Sequence, residues 1–219
     1  MDRRYLAILA ALALASCSRP EPQPTVAEKP PAPEVKEGPA IACFGNSLTA
    51  GHGLDPGLSY PDQLQVLLDE HGYRYRVVNL GISGDTTSGG VERISTATEL
   101  KPAVVILELG ANDGLRGLPV AATRSNLETM IRAFQASGAR VLLAGITLPR
   151  NYGPDYIRDF DKIYAGLARE HRLAFLPFLL EGVATNPALM QPDALHPNAE
   201  GTRRVAALVW KHLEPLLKR

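Results

Sequence analysis

The stretch Phe44-Gly45-Asn46-Ser47-Leu48-Thr49-Ala50-Gly51 sets one serine among small residues. A serine hydroxyl is a poor nucleophile until a base takes its proton, and that base must be oriented by a third group. Of the five histidines, only His196 has a carboxylate three residues upstream in a short loop, Asp193-Ala194-Leu195-His196. Pro197 and Asn198 mark a helix start immediately after it. Asp193 is then placed to fix the imidazole tautomer, and the proton-accepting imidazole must be neutral, so acylation is expected to rise as pH rises. Asn46 cannot ionise and supplies no triad carboxylate. Acyl transfer also needs donors preset around the attacked carbonyl oxygen. Gly84 has no side chain to keep its N–H from a substrate, Ser47 can offer its own N–H from the start of a helix, and Asn112 can offer a side-chain amide.

Each motif has a plainer reading. Gly-Asn-Ser and Asn-Asp-Gly are common turn formers, Asp85 and Thr86 are expected to cap a helix, and Asp-x-x-His could be a solvated loop or half a metal site. Asp113, Asp193, His52 and His196 could serve a metallohydrolase, but they are scattered without a ligand spacing. What favours a serine site is the appearance of all the motifs in order, each directly after an element able to hold it.

Those elements follow from hydrophobic patterning. Apolar runs at Ile41–Phe44, Tyr75–Leu80, Val104–Leu109, Val141–Ile146 and Leu173–Phe178 have the length and composition of buried strands. Helical spacing appears at Leu64/Leu67/Leu68, Leu127/Met130/Ile131/Phe134, Ile157/Phe160/Ile163/Tyr164/Leu167 and Val205/Leu208/Val209, with a weaker pattern over Thr87–Thr98. Alternation of this kind predicts an α/β fold, a three-layer α/β/α sandwich around a five-stranded parallel sheet with right-handed crossovers. Ligands in such sheets sit beyond the C-terminal strand ends. Ser47, Gly84 and Asn112 follow the first three strands, and the Asp193–His196 loop lies between the last strand and the last helix.

The chain of 219 residues, 45% of them apolar, carries equal numbers of acidic and basic residues. It suits one domain, and it offers no basic field or binding motif for nucleic acid. Arg3 and Arg4 precede the apolar run Tyr5–Ala15, which is short for a bilayer span and right for an export signal. Leu14-Ala15-Ser16-Cys17 resembles a bacterial lipobox, which implies a signal peptide over 1–16 and a lipidated Cys17. The proline- and charge-rich residues 17–39 are expected to form a tether, with residues 40–219 as the domain. Ser18 after that cysteine is similar to lipoproteins sent to the outer membrane, so the expected location is the bacterial cell envelope, anchored through lipid. Cys43 is expected to be a small core residue.

The pattern is not the G-x-S-x-G elbow, since Thr49 stands at the second glycine's place. From about Ile41 onward the chain resembles the SGNH/GDSL hydrolases, in particular the arylesterase and acyl-CoA thioesterase I/lysophospholipase L1 group. "FGNSLTAG", "NLGISGDT", "ELGANDGLRG" and "DALHPN" carry the four family blocks in order. The resemblance implies a flavodoxin-like SGNH fold and a serine esterase acting on aryl esters, acyl thioesters or lysophospholipids. Its nucleophile would be Ser47, its triad partners Asp193 and His196, and its oxyanion donors Ser47, Gly84 and Asn112, with no metal or cofactor. One departure is Asn46, where the family usually has Asp. "DGLRGLP" and "LPRNYGPDY" resemble loops bordering the acyl pocket, which suggests Leu115, Leu118 and Leu148 as substrate contacts. The partner is then a small-molecule ester or thioester, and the domain is expected to act as a monomer. A carbohydrate O-deacetylase of the same fold and a non-catalytic envelope-anchored lipoprotein are the alternative readings.

Overall fold

A computed structural model describes residues 37–219. The 1–16 signal, Cys17 and nearly all of the 17–39 tether lie outside the described residues. Five strands, β1 (Ala40–Gly45), β2 (Arg76–Gly81), β3 (Val104–Glu108), β4 (Arg140–Ala144) and β5 (Ala174–Leu176), form one sheet in the order β2-β1-β3-β4-β5, every pair parallel. The central β1 and β3 are buried along their whole length, as strands covered on both faces must be.

The main crossover helices are α2 (Tyr60–Glu70), α6 (Val120–Ala136), α7 (Pro154–Glu170) and the closing α8 (Ala199–Leu213). Short helices α1 (Ser47–Ala50), α3 (Thr87–Glu92), α4 (Ile94–Thr98) and α5 (Ala111–Leu115) fill the loops after the first three strands. Helix α2 packs with α8, while α6 packs with α3, α4 and α7, which gives the helical layers of the sandwich. Their apolar stripes are those of the sequence: Leu127, Met130, Ile131 and Phe134 are completely buried, as are Phe160 and Leu167. Ser59 and Asp62 make a reciprocal capping box at the start of α2, and the Asn198 side chain caps α8 by accepting from the N–H groups of Glu200 and Gly201.

Two expected elements differ. The helix anticipated over Thr87–Thr98 breaks at Arg93, which leaves helical geometry at φ −116°, ψ 20°. Gly89 and Gly90 weaken the helix there, and the Arg93 guanidinium is drawn to the carbonyls of Leu80 and Gly45. The fifth strand pairs only over Ala174–Leu176, because Pro177 has no N–H to continue the ladder.

The strand order reverses between β1 and β3. One crossover leaves β1 toward β2, the later ones run to the other side, and a crevice opens above the C-terminal ends of those two central strands. Ser47 and Asn112 follow β1 and β3 at that crevice, and Gly84 follows the neighbouring β2.

Candidate active site

At the end of β1 the chain turns through Asn46, whose Oδ1 accepts the Leu48 N–H at 2.9 Å and so starts α1. Gly51 ends this single turn in the left-handed region at φ 79°. Ser47 is the first residue of α1, and its Oγ lies 2.9 Å from His196 Nε2. On the far side of the ring, His196 Nδ1 is 2.6 Å from Asp193 Oδ2. The other Asp193 oxygen accepts the backbone N–H groups of Leu195 at 2.9 Å and His196 at 3.0 Å. A tight turn makes this possible, with Ala194 held at φ 55°.

A carboxylate can only accept, so Nδ1 carries the proton and the Nε2 lone pair faces the serine hydroxyl. Partial burial of Asp193 favours its neutral form, but hydrogen bonds from the His196 ring and the two backbone N–H groups prevail and bring its carboxyl down to about 2. Gln191 braces the arrangement. Its N–H donates to the His196 carbonyl at 2.7 Å, and its amide donates to the carbonyls of His52 at 2.7 Å and Pro197 at 2.9 Å. This tie between the histidine loop and the serine loop left no sequence signal, since a glutamine in a loop has no distinctive spacing.

Gly84 lines the cleft at φ 83°, a backbone conformation that favours glycine, and its carbonyl accepts from Arg116 Nη2 at 2.9 Å. The Asn112 amide donates one proton to the Asp85 carbonyl at 2.8 Å, which fixes its orientation and leaves its second proton for an oxyanion. Thr86 does cap α3, as expected. Asp85 does not; it pairs at 2.7 Å with Arg93, both side chains largely buried, and so pins the loop that orients Asn112. Asn112→Ala removes a donor without disturbing the core. A loss of roughly 10²–10³ in kcat with an unchanged melting temperature is expected from steady-state kinetics and thermal unfolding.

From these groups a cleft of about 600 Å³ runs over Leu115, Ile146, Leu148, Phe178, Leu180 and Met190. Leu115 and Leu148 therefore lie where an acyl chain could contact them. Leu118 does not line this cleft; it points to the surface, and its carbonyl accepts the Tyr156 hydroxyl at 2.8 Å. The neighbouring Tyr152 hydroxyl donates to the Leu115 carbonyl at 2.9 Å, so the two loops that border the cleft are tied by tyrosines. His52 stands at the cleft with its ring centroid 4.7 Å from that of His196. Asp113 turns away, buried and accepting from Thr87 and Thr123. Cys43 is buried in β1, where burial pushes its thiol well up.

Beneath the serine turn lies a carboxylate with no part in the sequence reading. Glu108, 1% exposed, accepts from Asn46 and Thr49. The available signal is an acidic residue inside the otherwise apolar run Val104–Leu109.

A serine hydroxyl against an imidazole that is backed by a carboxylate, beside an apolar cleft, is an arrangement suited to acyl transfer to water. The model of the GDSL-like Lipase/Acylhydrolase family matches residues 43–204. Esterase TesA of Pseudomonas aeruginosa is 46% identical over 178 residues, 81% of this chain and 89% of that protein. Thioesterase 1/protease 1/lysophospholipase L1 of Escherichia coli K12 is 37% identical, covering 81% of this chain and 84% of its own. The crystal structure of TesA superposes with a TM-score of 0.79 at 45% identity, covering 81% of this chain and 99% of that one. The chain belongs to the GDSL-like lipase/acylhydrolase family and is a carboxylic ester hydrolase of the SGNH type.

Proposed function

We propose that Ser47 is the nucleophile of this esterase, His196 its general base and acid, and Asp193 the group that sets the tautomer. The Ser47 Oγ–His196–Asp193 chain of hydrogen bonds, 2.9 and 2.6 Å long, carries this reading. Ser47 Oγ attacks the ester or thioester carbonyl while Nε2 takes its proton. The N–H groups of Ser47 and Gly84 and the Asn112 amide receive the oxyanion. The imidazolium then protonates the leaving alcohol or thiol, and water, activated by the same imidazole, releases the acid.

The cleft's apolar lining supports an acyl chain in preference to a sugar, which must have its hydroxyls hydrogen-bonded. Aryl esters, acyl thioesters and lysophospholipids, the substrates suggested by the relatives' names, share that acyl part. A series of p-nitrophenyl esters tests this. kcat/KM should rise from acetate to a medium-length acyl group, and Leu148→Trp, which narrows the cleft, should lower it for the longer esters by roughly tenfold while sparing acetate. Highest activity on acetate, with release of acetate from glycans, would instead favour the O-deacetylase reading. The lipobox-like Leu14–Cys17 and the proline-rich 17–39 support a lipid anchor at Cys17 and a tethered domain in the bacterial envelope.

A further inference from the structure

Glu108 closes β3 opposite Gly45, so its side chain lies directly under the turn that carries Ser47. Both carboxylate oxygens are engaged. Oε1 accepts the Asn46 Nδ2 at 2.9 Å, while Oε2 accepts the Asn46 N–H at 3.2 Å and the Thr49 hydroxyl at 2.8 Å. Asn46 precedes Ser47 and Thr49 follows it by two residues, so the nucleophile is gripped from both sides. A helix of four residues cannot hold its own geometry, because its single turn costs more order than one hydrogen bond returns. The fit leaves no slack: a Cβ at Gly45 would lie 2.0 Å from the Thr49 hydroxyl and 2.6 Å from Glu108 Oε2.

We propose that Glu108 is a positioning residue for Ser47, acting through Asn46 and Thr49, and that the amide at position 46 lets it act as an ionised carboxylate through the alkaline range. The inference rests on Ser47 being the nucleophile. An amide is a donor at every pH. A carboxylate in place of the Asn46 amide would set two carboxyl oxygens against each other at that 2.9 Å contact, where they hold together only by sharing a proton. Once the proton leaves, the clamp opens and Ser47 shifts.

The groups facing Glu108 do not supply an alternative charge. Tyr60 of α2, 3.3 Å from the Thr49 hydroxyl, and Tyr164 of α7 are both pushed well above the usual phenol range by burial. Cys43 of β1 is likewise pushed up. Asp113 of α5 is engaged by Thr87 and Thr123, and Arg93 is paired with Asp85. His196 reaches this network only through Ser47. Burial pushes Glu108 itself up to about 7 against the pull of its hydrogen bonds from Thr49 and Asn46, so the ionised clamp costs stability.

The test uses Asn46→Asp, Glu108→Gln and the double swap, each assayed for kcat, KM, the rate of Ser47 labelling by a fluorophosphonate, and melting temperature. In E108Q either amide orientation sets a donor against a donor, and kcat should fall roughly 10- to 100-fold with KM within about threefold. In N46D the loss should appear above neutral pH and deepen toward pH ~10, where the wild type stays level. In the double swap the amide oxygen introduced on β3 can accept from the backbone N–H at position 46 and from the Thr49 hydroxyl, while its NH₂ donates to the carboxylate introduced before Ser47. Every donor then meets an acceptor, and kcat should return to within about threefold of wild type.

Stability gives an independent check. Glu108 has a raised folded-state value, so its contribution is fully present below its unfolded value of 4.5 and is lost as pH rises through about 7. The melting temperature of wild type minus that of E108Q should fall across that window and level off above it. A double swap no more active than E108Q, or N46D parallel to wild type across alkaline pH, would overturn the clamp, as would single variants altered in melting temperature alone. Wild type left unlabelled at Ser47 would overturn the nucleophile assignment as well, which separates the two failures. Should E108Q fail to fold, the N46D pH profile and the double swap still decide.

Discussion

Replacing Ser47 by alanine should abolish fluorophosphonate labelling and reduce ester hydrolysis by about 10⁶-fold, the scale seen when a serine-hydrolase nucleophile is removed. The fold should not change. Ser47 occupies the first position of α1, where alanine is a good helix former, and its side chain makes the single hydrogen bond to His196 Nε2. The cap from Asn46 and the contacts of Glu108 with residues 46 and 49 do not pass through the Ser47 hydroxyl. Mass spectrometry of the labelled domain should place the adduct on the peptide containing Ser47, and the alanine variant should show none at an equal melting temperature. An adduct on another serine, or a folded alanine variant that still forms an acyl-enzyme, would sink the assignment. A wild-type domain that folds but does not label would mean that the 2.9 Å contact to His196 does not activate the hydroxyl.

The parts of this site visible in the sequence are those whose local chemistry is confined to a few adjacent residues. Asp193 and His196 are three apart and form their own turn, and Ser47, Gly84 and Asn112 each follow an apolar run of strand length. Alternation of those runs with helical periodicity settled the parallel sheet, and a parallel sheet gathers the loops at one edge. Contacts formed across the fold were not visible. Glu108 lies 62 positions from Asn46, and Gln191 lies 139 from His52. Neither pairing follows from local spacing, because it depends on strand register and on which loop packs over which. Asp85 shows the opposite error. Its place before a helix suggested a cap, but the neighbouring Thr86 takes that role, and the buried Arg93, eight residues on, claims the carboxylate. Leu118 shares with Leu115 the stretch "DGLRGLP", whose resemblance to a loop bordering an acyl pocket suggests both as substrate contacts. The turn at Gly117, φ 64°, separates them, leaving one in the cleft and the other at the surface.

Asp193→Asn should cost about 10⁴-fold in kcat, although it alters one atom on a half-exposed side chain. Hydrogen bonding explains why. One oxygen of Asp193 accepts two backbone N–H groups, from Leu195 and His196, and an amide nitrogen cannot replace it there. Asparagine must therefore turn its oxygen toward the backbone and its NH₂ toward His196 Nδ1. That nitrogen then has to accept, the imidazole proton moves to Nε2, and the lone pair that should receive the Ser47 proton is gone. Asp193→Ala imposes no tautomer, so it should lose less than asparagine does, even though it deletes more contacts. This order separates tautomer control from simple packing. It also fixes how acid sensitivity must be read. The Asp193 carboxyl is held down to about 2, so its contribution to stability is present above its usual 3.8 and is lost only as pH falls through about 2. Any acid limb in kcat/KM well above that pH belongs to another group. Measuring kcat for the three proteins at one alkaline pH, with melting temperatures alongside, tests the argument. An asparagine variant more active than the alanine variant would show that Asp193 orients the ring without choosing its proton.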